Sequence, residues 1–227
     1  MNVGVLGTGI VGRTLAWGLS EIGHDAMIGT RDPAALGART DRDAMGNQPF
    51  PDWHADHSSV RVGTFAEAAA HGAMIFNATS GGGSLDALRL AGADNLDGKV
   101  LVDVSNPLDF SGGFPPSLLV ANTDSLAERI QREFPAARVV KSLNTMTAAL
   151  MVDPAAVSGG DHVVFVSGDD PDAKGDVAAL LRDGWGWRHV VDLGYLSSAR
   201  AAEMYLPLWL RLMGALETPM FNIALAR

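Results

Sequence analysis

Three glycines near the amino terminus have a spacing that is suited to binding phosphate. Gly7, Gly9 and Gly12 form the pattern Gly-x-Gly-x-x-Gly within residues 5–16, VLGTGIVGRTLA. The pattern alone is weak evidence, but here it follows an apolar run and opens an Ala/Leu-rich segment, the context in which it binds dinucleotides. Gly7 would permit the tight turn, Gly9 the approach of a pyrophosphate, and Gly12 the contact of helix with strand. We therefore predict a dinucleotide site rather than an empty turn.

The residues that distinguish NAD from NADP lie about 20 residues further on, at the end of the second predicted strand. The sequence there is IGTRDP, residues 28–33. Thr30 replaces the acidic residue that would bind the ribose 2'-hydroxyl, and Arg31 offers a guanidinium that can bind a 2'-phosphate through two hydrogen bonds. Asp32, followed by proline, is expected to cap the next helix. The sequence favours NADP, with a solvated surface arginine as the alternative.

Two further loops follow predicted strands, where ligands of such sheets bind. In NATSGGGS, residues 77–84, Thr79 and Ser80 could lie along the phosphates and the nicotinamide ribose, or the glycines could simply cap the next helix. In VDVSNPLD, residues 102–109, Asn106 could face that ribose or satisfy its own backbone.

The loop VVKSLNTM, residues 139–146, would place polar side chains beside the nicotinamide ring. We expect Asn144 to contact the carboxamide of the ring. Lys141 could act as an acid or an electrostatic group, but most lysines at the end of a strand are solvated or ion-paired. The sequence identifies no catalytic residue.

The elements that would position these loops alternate along the chain. Val/Ile/Leu-rich runs separated by Ala-rich segments are typical of a parallel sheet with helices on both faces. We predict an α/β fold: a Rossmann-type, doubly wound, mostly parallel sheet of six strands, complete by about residue 145, and a small C-terminal α/β lobe. The domains would be residues 1–145, which bind the dinucleotide, and 146–227, which cover the nicotinamide.

The last predicted helix repeats apolar residues at helical spacing. Core packing is the first interpretation and a dimer interface the second, because an exposed face this apolar favours association. Arg200 and Glu203, just before this stretch, could pair with each other or cap a helix. The apolar positions are Leu206, Trp209, Leu210, Met213 and Leu216.

Composition excludes several kinds of function. The 227 residues contain no cysteine, so disulfides, thiolate metal sites and a cysteine nucleophile are unavailable. The net charge is −9 and the basic residues are scattered, so we expect no nucleic-acid partner. Residues 204–216 are too few to span a bilayer, and the first residues predict a strand rather than a leader. We expect a soluble, cytoplasmic protein with no membrane partner.

Residues 37–59 are long for a simple connection and form either a functional flap or a family-specific excursion. They include His54 and His57, but no carboxylate pattern accompanies these histidines and we expect no metal site. Trp53 and the loop SGGFPPSL, residues 111–118, could border a pocket for a second substrate or be purely structural.

Several motifs, taken in order, resemble one known family. They are similar to motifs of the NADP oxidoreductases that include coenzyme F420-dependent NADP reductase and the cytoplasmic reductase domain of the metalloreductases. The similarity runs from residue 3 to about residue 212, and ordered motifs over that length are far more specific than one glycine pattern. The motifs are GTGIVGRTLAWGLSEIGHDAMIGTRDP, VDVSNPLD, VVKSLNTM, VSGDD and DLGYLSSARAAEMYLPLWLRL.

The resemblance implies NADP(H) binding, a homodimer, and hydride transfer to or from a second redox cofactor, a small-molecule acceptor of the deazaflavin (coenzyme F420) or flavin type. Members that use the deazaflavin can carry histidine and proline at the positions of Asn144 and Thr147, whereas the Asn-Thr turn here is closer to that of reductase domains that use a flavin. The implied cofactor-binding residues are Thr8, Gly9, Ile10, Val11, Thr30, Arg31, Ala78, Thr79, Ser80, Asn144 and Ala148.

Two other functions are weighed against this one. A non-enzymatic NADP(H)-binding redox sensor would need no catalytic residue. A hydroxyacid or imino-acid dehydrogenase would need a large all-helical C-terminal domain, and the residues after the predicted sheet are too few for it and contain strands. Hydride transfer requires distance and orientation more than a strong base. It therefore fits a sequence without a convincing acid/base pair.

Overall fold

The computed structural model describes residues 1–42 and 46–226. The strands are β1 (Asn2–Leu6), β2 (Asp25–Thr30), β3 (Arg61–Thr64), β4 (Met74–Asn77), β5 (Val100–Asp103), β6 (Leu108–Asp109), β7 (Ser117–Leu118), β8 (Arg138–Ser142), β9 (Val163–Gly168) and β10 (His189–Asp192). The helices are α1 (Ile10–Glu21), α2 (Pro33–Gly37), α3 (Phe50–Asp56), α4 (Phe65–His71), α5 (Ser84–Ala91), α6 (Ala93–Leu96), α7 (Leu126–Glu133), α8 (Ala148–Val152), α9 (Pro171–Ala179), α10 (Ala199–Met204) and α11 (Leu206–Leu216).

Eight of these strands form one sheet, in the order β10-β9-β8-β5-β4-β1-β2-β3. Neighbouring strands are parallel except β8 and β9, which are antiparallel. The predicted fold class, a doubly wound, mostly parallel α/β sheet of Rossmann type, is confirmed. Because β1 lies between β2 and β4, the chain reverses its direction of travel across the sheet there, and ligands of such folds bind at this switch point.

The sheet is larger than the six strands expected by residue 145. Both strands that were predicted within a C-terminal lobe continue the same sheet, since β9 pairs with β8 (Val140 with Gly168, Ser142 with Val166) and β10 pairs with β9. The run VVFVSG is almost entirely buried, as a strand inside a sheet must be. The division of the chain at residue 145 remains a prediction about domains.

Alternating strand residues supply two apolar layers, one on each face of the sheet. Val5 and Phe76 belong to the layer covered by α1, α3, α8 and α9. Leu6 and Ile75, their neighbours in sequence, belong to the layer covered by α4, α5 and α7. Helices therefore cover both faces and leave the carboxyl edge of the parallel strands open to a ligand.

The described part of the 37–59 stretch packs on the protein rather than extending from it. Phe50 and Trp53 of α3 are buried in the first apolar layer. The imidazole N–H groups of His54 and His57 donate to the carbonyl oxygens of Val60 (2.8 Å) and Trp53 (2.6 Å). These contacts are structural. Helix α3 is therefore part of the packed protein, and a functional role for residues 37–59 would depend on what α3 holds in place.

The last helix, α11, is less buried than the core packing expected for it. Core packing is confirmed for Leu206 alone, because Leu206 is the buried residue of α11, whereas Leu208 and Leu216 are more than half exposed. Helical periodicity predicts an apolar face correctly but cannot say what covers it. Within residues 1–42 and 46–226, no helix has both the length and the apolar character that crossing a membrane requires.

Candidate functional site

The glycine turn between β1 and α1 needs two of its three glycines for steric reasons. A Cβ on Gly7, whose φ is +122°, would lie 2.5 Å from the carbonyl oxygen of Ala78, and one on Gly12 would lie 2.0 Å from that of Gly7. Gly9 differs, because a Cβ there would meet nothing within 4 Å. The backbone of the turn is therefore packed against the protein at Gly7 and Gly12 and faces open space at Gly9.

Helix α1 begins directly at this turn and carries no cap of its own. Gly9 is the N-cap residue and has no side chain to cap the helix, and the first turn contains no acidic residue. The first N–H groups of a helix lack partners within the helix, and they lie at the positive end of its dipole. The start of α1 is therefore suited to an anion such as a pyrophosphate.

A cleft of about 330 Å³ lies above this turn at the carboxyl edge of the sheet. It brings three predicted loops together, the glycine turn, the end of β2 and the loop after β4. Phe65, the first residue of α4, also lines the cleft and was not predicted from the sequence. A larger cleft, of about 860 Å³, lies at the opposite edge, where Met74 and Val100 begin their strands. The predicted residues in the first cleft are Gly7, Thr8, Gly9, Thr30, Arg31, Ala78, Thr79 and Ser80.

The end of β2 has the features read from IGTRDP. The Asp32 carboxylate accepts the backbone N–H of Ala35 at 2.9 Å, so the predicted cap of α2 is confirmed. Arg31 is exposed, and no carboxylate of residues 1–42 or 46–226 lies within ion-pair distance of it. A cation that lines the cleft without a protein counter-ion is available to an anionic ligand.

A row of buried polar residues crosses the carboxyl ends of the next three strands. Asn77, Asp103 and Lys141 lie in register on β4, β5 and β8. The Asn77 amide donates to the Asp103 carboxylate at 2.9 Å, and the Lys141 ammonium donates to the same carboxylate at 2.8 Å. Lys141 also donates to the Ser105 carbonyl and forms an ion pair with Glu203 at 2.9 Å.

The environment of Lys141 shows an ion-paired rather than a solvated ammonium. The side chain is only 1% exposed, so it is not a solvated lysine. Burial by itself lowers the pKa of the ammonium, but the Asp103 and Glu203 carboxylates together raise this pKa above its ordinary value. Lys141 is thus an ion-paired cation that joins β8 to β5 and α10.

Two loops are fixed by the same local arrangement at the ends of neighbouring strands. The Thr79 hydroxyl donates to the Asn77 side-chain oxygen at 2.6 Å, and the Ser105 hydroxyl donates to Asp103 at 2.6 Å. In each case a hydroxyl two residues beyond the strand bonds back to the strand's last side chain. The predicted contact of Thr79 with the cofactor remains a prediction, and its hydroxyl already has a partner in the protein.

Asn106 and Asn144 bind each other across the two turns. The Asn106 amide donates to the Asn144 carbonyl at 2.9 Å, and the Asn144 amide donates to the Asn106 side-chain oxygen at 2.9 Å and to the Ala202 carbonyl at 3.1 Å. Asn106 thus reaches a neighbouring turn rather than its own backbone. The predicted cofactor contacts of both residues remain untested, as does that of Ala148, the buried first residue of α8.

Helix α10 closes this part of the site through Glu203, whose role the sequence did not reveal. Its carboxylate accepts the N–H groups of Leu126 (2.8 Å) and Ala127 (3.2 Å) and so caps the start of α7. Arg200 forms an ion pair with Glu128 rather than with Glu203. Because these partners lie more than 70 residues apart, no spacing in the sequence could have shown them.

Comparisons with known proteins identify the family of this chain. A family model described as NADP oxidoreductase coenzyme F420-dependent matches residues 2–107. A solved structure from Arthrobacter sp. FB24, described as a "putative F420 dependent NADP-reductase", is 55% identical, covers 100% of both chains and superposes with a TM-score of 0.94. An imine reductase from Myxococcus stipitatus, 17% identical with a TM-score of 0.59, covers 95% of this chain and 63% of its own, and shares the fold alone.

A curated relative extends the comparison to a longer protein. Metalloreductase STEAP3 of Rattus norvegicus is 33% identical over 215 residues, which are 92% of this chain. The chain spans only 38% of that relative's length. The family suggested by the ordered motifs is confirmed, and the chain belongs to the coenzyme F420-dependent family of NADP oxidoreductases.

Proposed function

We propose that this protein binds NADP(H) along the carboxyl edge of its sheet and catalyses hydride transfer between the nicotinamide and a second redox ring. The observation that carries the proposal is the cleft that unites Gly9, Thr30, Arg31 and Ser80 at the switch point of the sheet. When bound, the nicotinamide supplies the hydride chemistry. The residues of this chain bind and orient it.

The proposed site has two halves, one formed by the glycine turn and the end of β2 and the other, the nicotinamide half, formed by the turns after β5 and β8. The N–H groups at the start of α1 would bind the pyrophosphate, and Arg31 would bind the 2'-phosphate with Thr30 beside it. Asn106 and Asn144, fixed to each other and to α10, would border the nicotinamide. Reaction rates of this type depend on holding two rings at the right distance and orientation, and a network this fully bonded supplies rigidity.

The pairing of Lys141 is compatible with hydride transfer. The Lys141 ammonium is held by two carboxylates and a carbonyl oxygen, so it is not a free proton donor. Hydride transfer between two rings requires no proton donor.

The second ring is proposed to be a small-molecule acceptor, either the deazaflavin of coenzyme F420 or a flavin. Purified protein is mixed with NADPH and each acceptor separately, and nicotinamide absorbance is followed. We expect NADPH oxidation with one of them. Binding of NADPH without oxidation in either mixture would instead support the non-enzymatic redox sensor.

We further propose that the protein is a cytoplasmic homodimer and that α11 contacts the second copy. Leu208 and Leu216 are 55% and 53% exposed, and α11 contains no acidic residue. Light scattering should give twice the mass of one chain. Leu208→Asp should give the monomer mass with an unchanged circular dichroism spectrum, and a monomeric wild-type protein would contradict the proposal.

A further inference from the structure

Arg13 is a buried cation immediately beyond the glycine pattern. It lies on α1 one residue after Gly12 and is only 6% exposed. A buried guanidinium is costly unless its N–H groups have acceptors. The groups that contact the Arg13 guanidinium therefore indicate which part of the structure this residue holds in place.

One partner lies within the glycine turn. The Arg13 Nε donates to the carbonyl oxygen of Thr8 at 2.9 Å. That carbonyl belongs to the peptide unit joining Thr8 to Gly9, and in a planar trans peptide the C=O and N–H groups point in opposite directions. Fixing the Thr8 carbonyl towards Arg13 thus directs the Gly9 N–H away from Arg13. Hydrogen bonding to the carbonyl also polarises the peptide and makes its N–H a better donor.

Further partners of Arg13 lie in the stretch before α3 and within α3. The Arg13 Nη1 donates to the carbonyl oxygen of Gln48 at 2.7 Å. The guanidinium carbon lies 5.2 Å from the ring centre of Phe50 and 5.9 Å from that of Trp53, within cation–π distance of both. Both aromatic side chains belong to the apolar core, so the rings that contact the guanidinium are themselves fixed in place.

We infer that Arg13 is a positioning residue for the pyrophosphate. It orients the Thr8–Gly9 peptide so that the Gly9 N–H donates to a phosphate oxygen, and residues 48–53 keep the guanidinium at the turn. The inference rests on the proposed cofactor site. It also assigns a role to residues 48–53, which lie in the long connection before β3. Because Arg13 acts through the backbone, its effect falls on the pyrophosphate, which NADPH and NADH share.

The first test compares cofactor affinities. Arg13→Met should raise the dissociation constants of NADPH and NADH by the same factor, about tenfold for one charge-assisted hydrogen bond, with their ratio unchanged. Arg13→Lys, which retains the charge but can hold only part of this network, should be intermediate. A loss confined to NADPH would overturn the inference, since it would make Arg13 a 2'-phosphate ligand.

A matched control separates positioning from folding. Trp187→Leu removes a buried ring of the same apolar layer whose indole donates to the Met151 carbonyl rather than contacting the Arg13 guanidinium. It should lower the melting temperature while changing the NADPH dissociation constant by less than about twofold. If Arg13→Met loses no more affinity than Trp187→Leu, the positioning role is wrong.

A second measurement needs no cofactor and so stays informative if the proposed function fails. Hydrogen–deuterium exchange of the free protein should be faster in Arg13→Met than in wild type at two places and unchanged elsewhere: residues 13–16, where the residue 13 N–H donates to the Gly9 carbonyl at 3.0 Å, and residues 53–57, where the Trp53 N–H donates to the Pro49 carbonyl at 3.2 Å. Equal exchange in the two proteins at residues 13–16 would overturn the inference. Failure of the wild-type protein to bind NADPH would contradict the proposed function instead.

Discussion

The two halves of the candidate site are built in different ways. The glycine turn is local, since Gly7, Gly9 and Gly12 lie within six consecutive residues and the clash that requires glycine at position 12 involves the backbone of Gly7. The nicotinamide half is assembled from distant segments, with Asp103 and Lys141 38 residues apart and Leu126 and Glu203 77 apart. A local motif specifies how backbone meets a ligand, whereas a distributed ionic network specifies how several elements are held together.

The largest effect on stability is expected when the nicotinamide half loses its buried cation, Lys141. Lys141→Met leaves the Asp103 and Glu203 carboxylates buried without their counter-ion, and this should lower the free energy of unfolding by about 3–5 kcal/mol. Chemical denaturation measures the loss. Arg129→Met, which removes an exposed partner of Asp124, is the control and should cost less than about 1 kcal/mol. Equal losses of stability in the two variants would show that the buried ion pairs of Lys141 contribute no more than an exposed ion pair.

The same contrast explains how much the sequence could predict. The glycine pattern, the Asp32 cap and the strand-helix alternation depend on neighbouring residues, and all three are found in the structure. Glu203 could not be placed, because its partners on α7 and β8 are brought to it only by the complete fold. The strands β9 and β10 were identified but assigned to a separate lobe, since no local signal shows which edge a strand joins.

Within the glycine turn, two substitutions should separate packing from binding. Gly12→Ala places a Cβ against the Gly7 carbonyl oxygen and should destabilise the free protein by about 1–3 kcal/mol. Gly9→Ala meets no protein atom within 4 Å, so its melting temperature should fall little beyond the small cost of alanine at an N-cap. Its NADPH affinity should nevertheless fall, as calorimetry can measure. Unchanged affinity in Gly9→Ala would place the pyrophosphate elsewhere.

The preference for NADPH over NADH should depend only on the half formed by the glycine turn and the end of β2. Arg31→Ala should weaken NADPH binding by about 1–3 kcal/mol, because a charge-assisted contact to the 2'-phosphate is lost, and leave NADH binding nearly unchanged. Titration with both cofactors gives the comparison. An equal loss for NADPH and NADH would contradict the assignment of the 2'-phosphate to Arg31.

The smallest effect is expected at a surface ion pair that contrasts with the buried network. Hydrogen bonding from Arg132 lowers the pKa of the Asp124 carboxyl to about 2. Because the folded-state pKa is lowered, its stabilisation is present above about pH 4 and is lost as the pH falls towards 2. Solvent screening limits it to less than about 1 kcal/mol. The melting temperatures of wild type and Asp124→Asn should differ slightly near neutral pH and converge in acid. A difference that persisted at pH 2 would mean that Asp124 acts through packing rather than through charge.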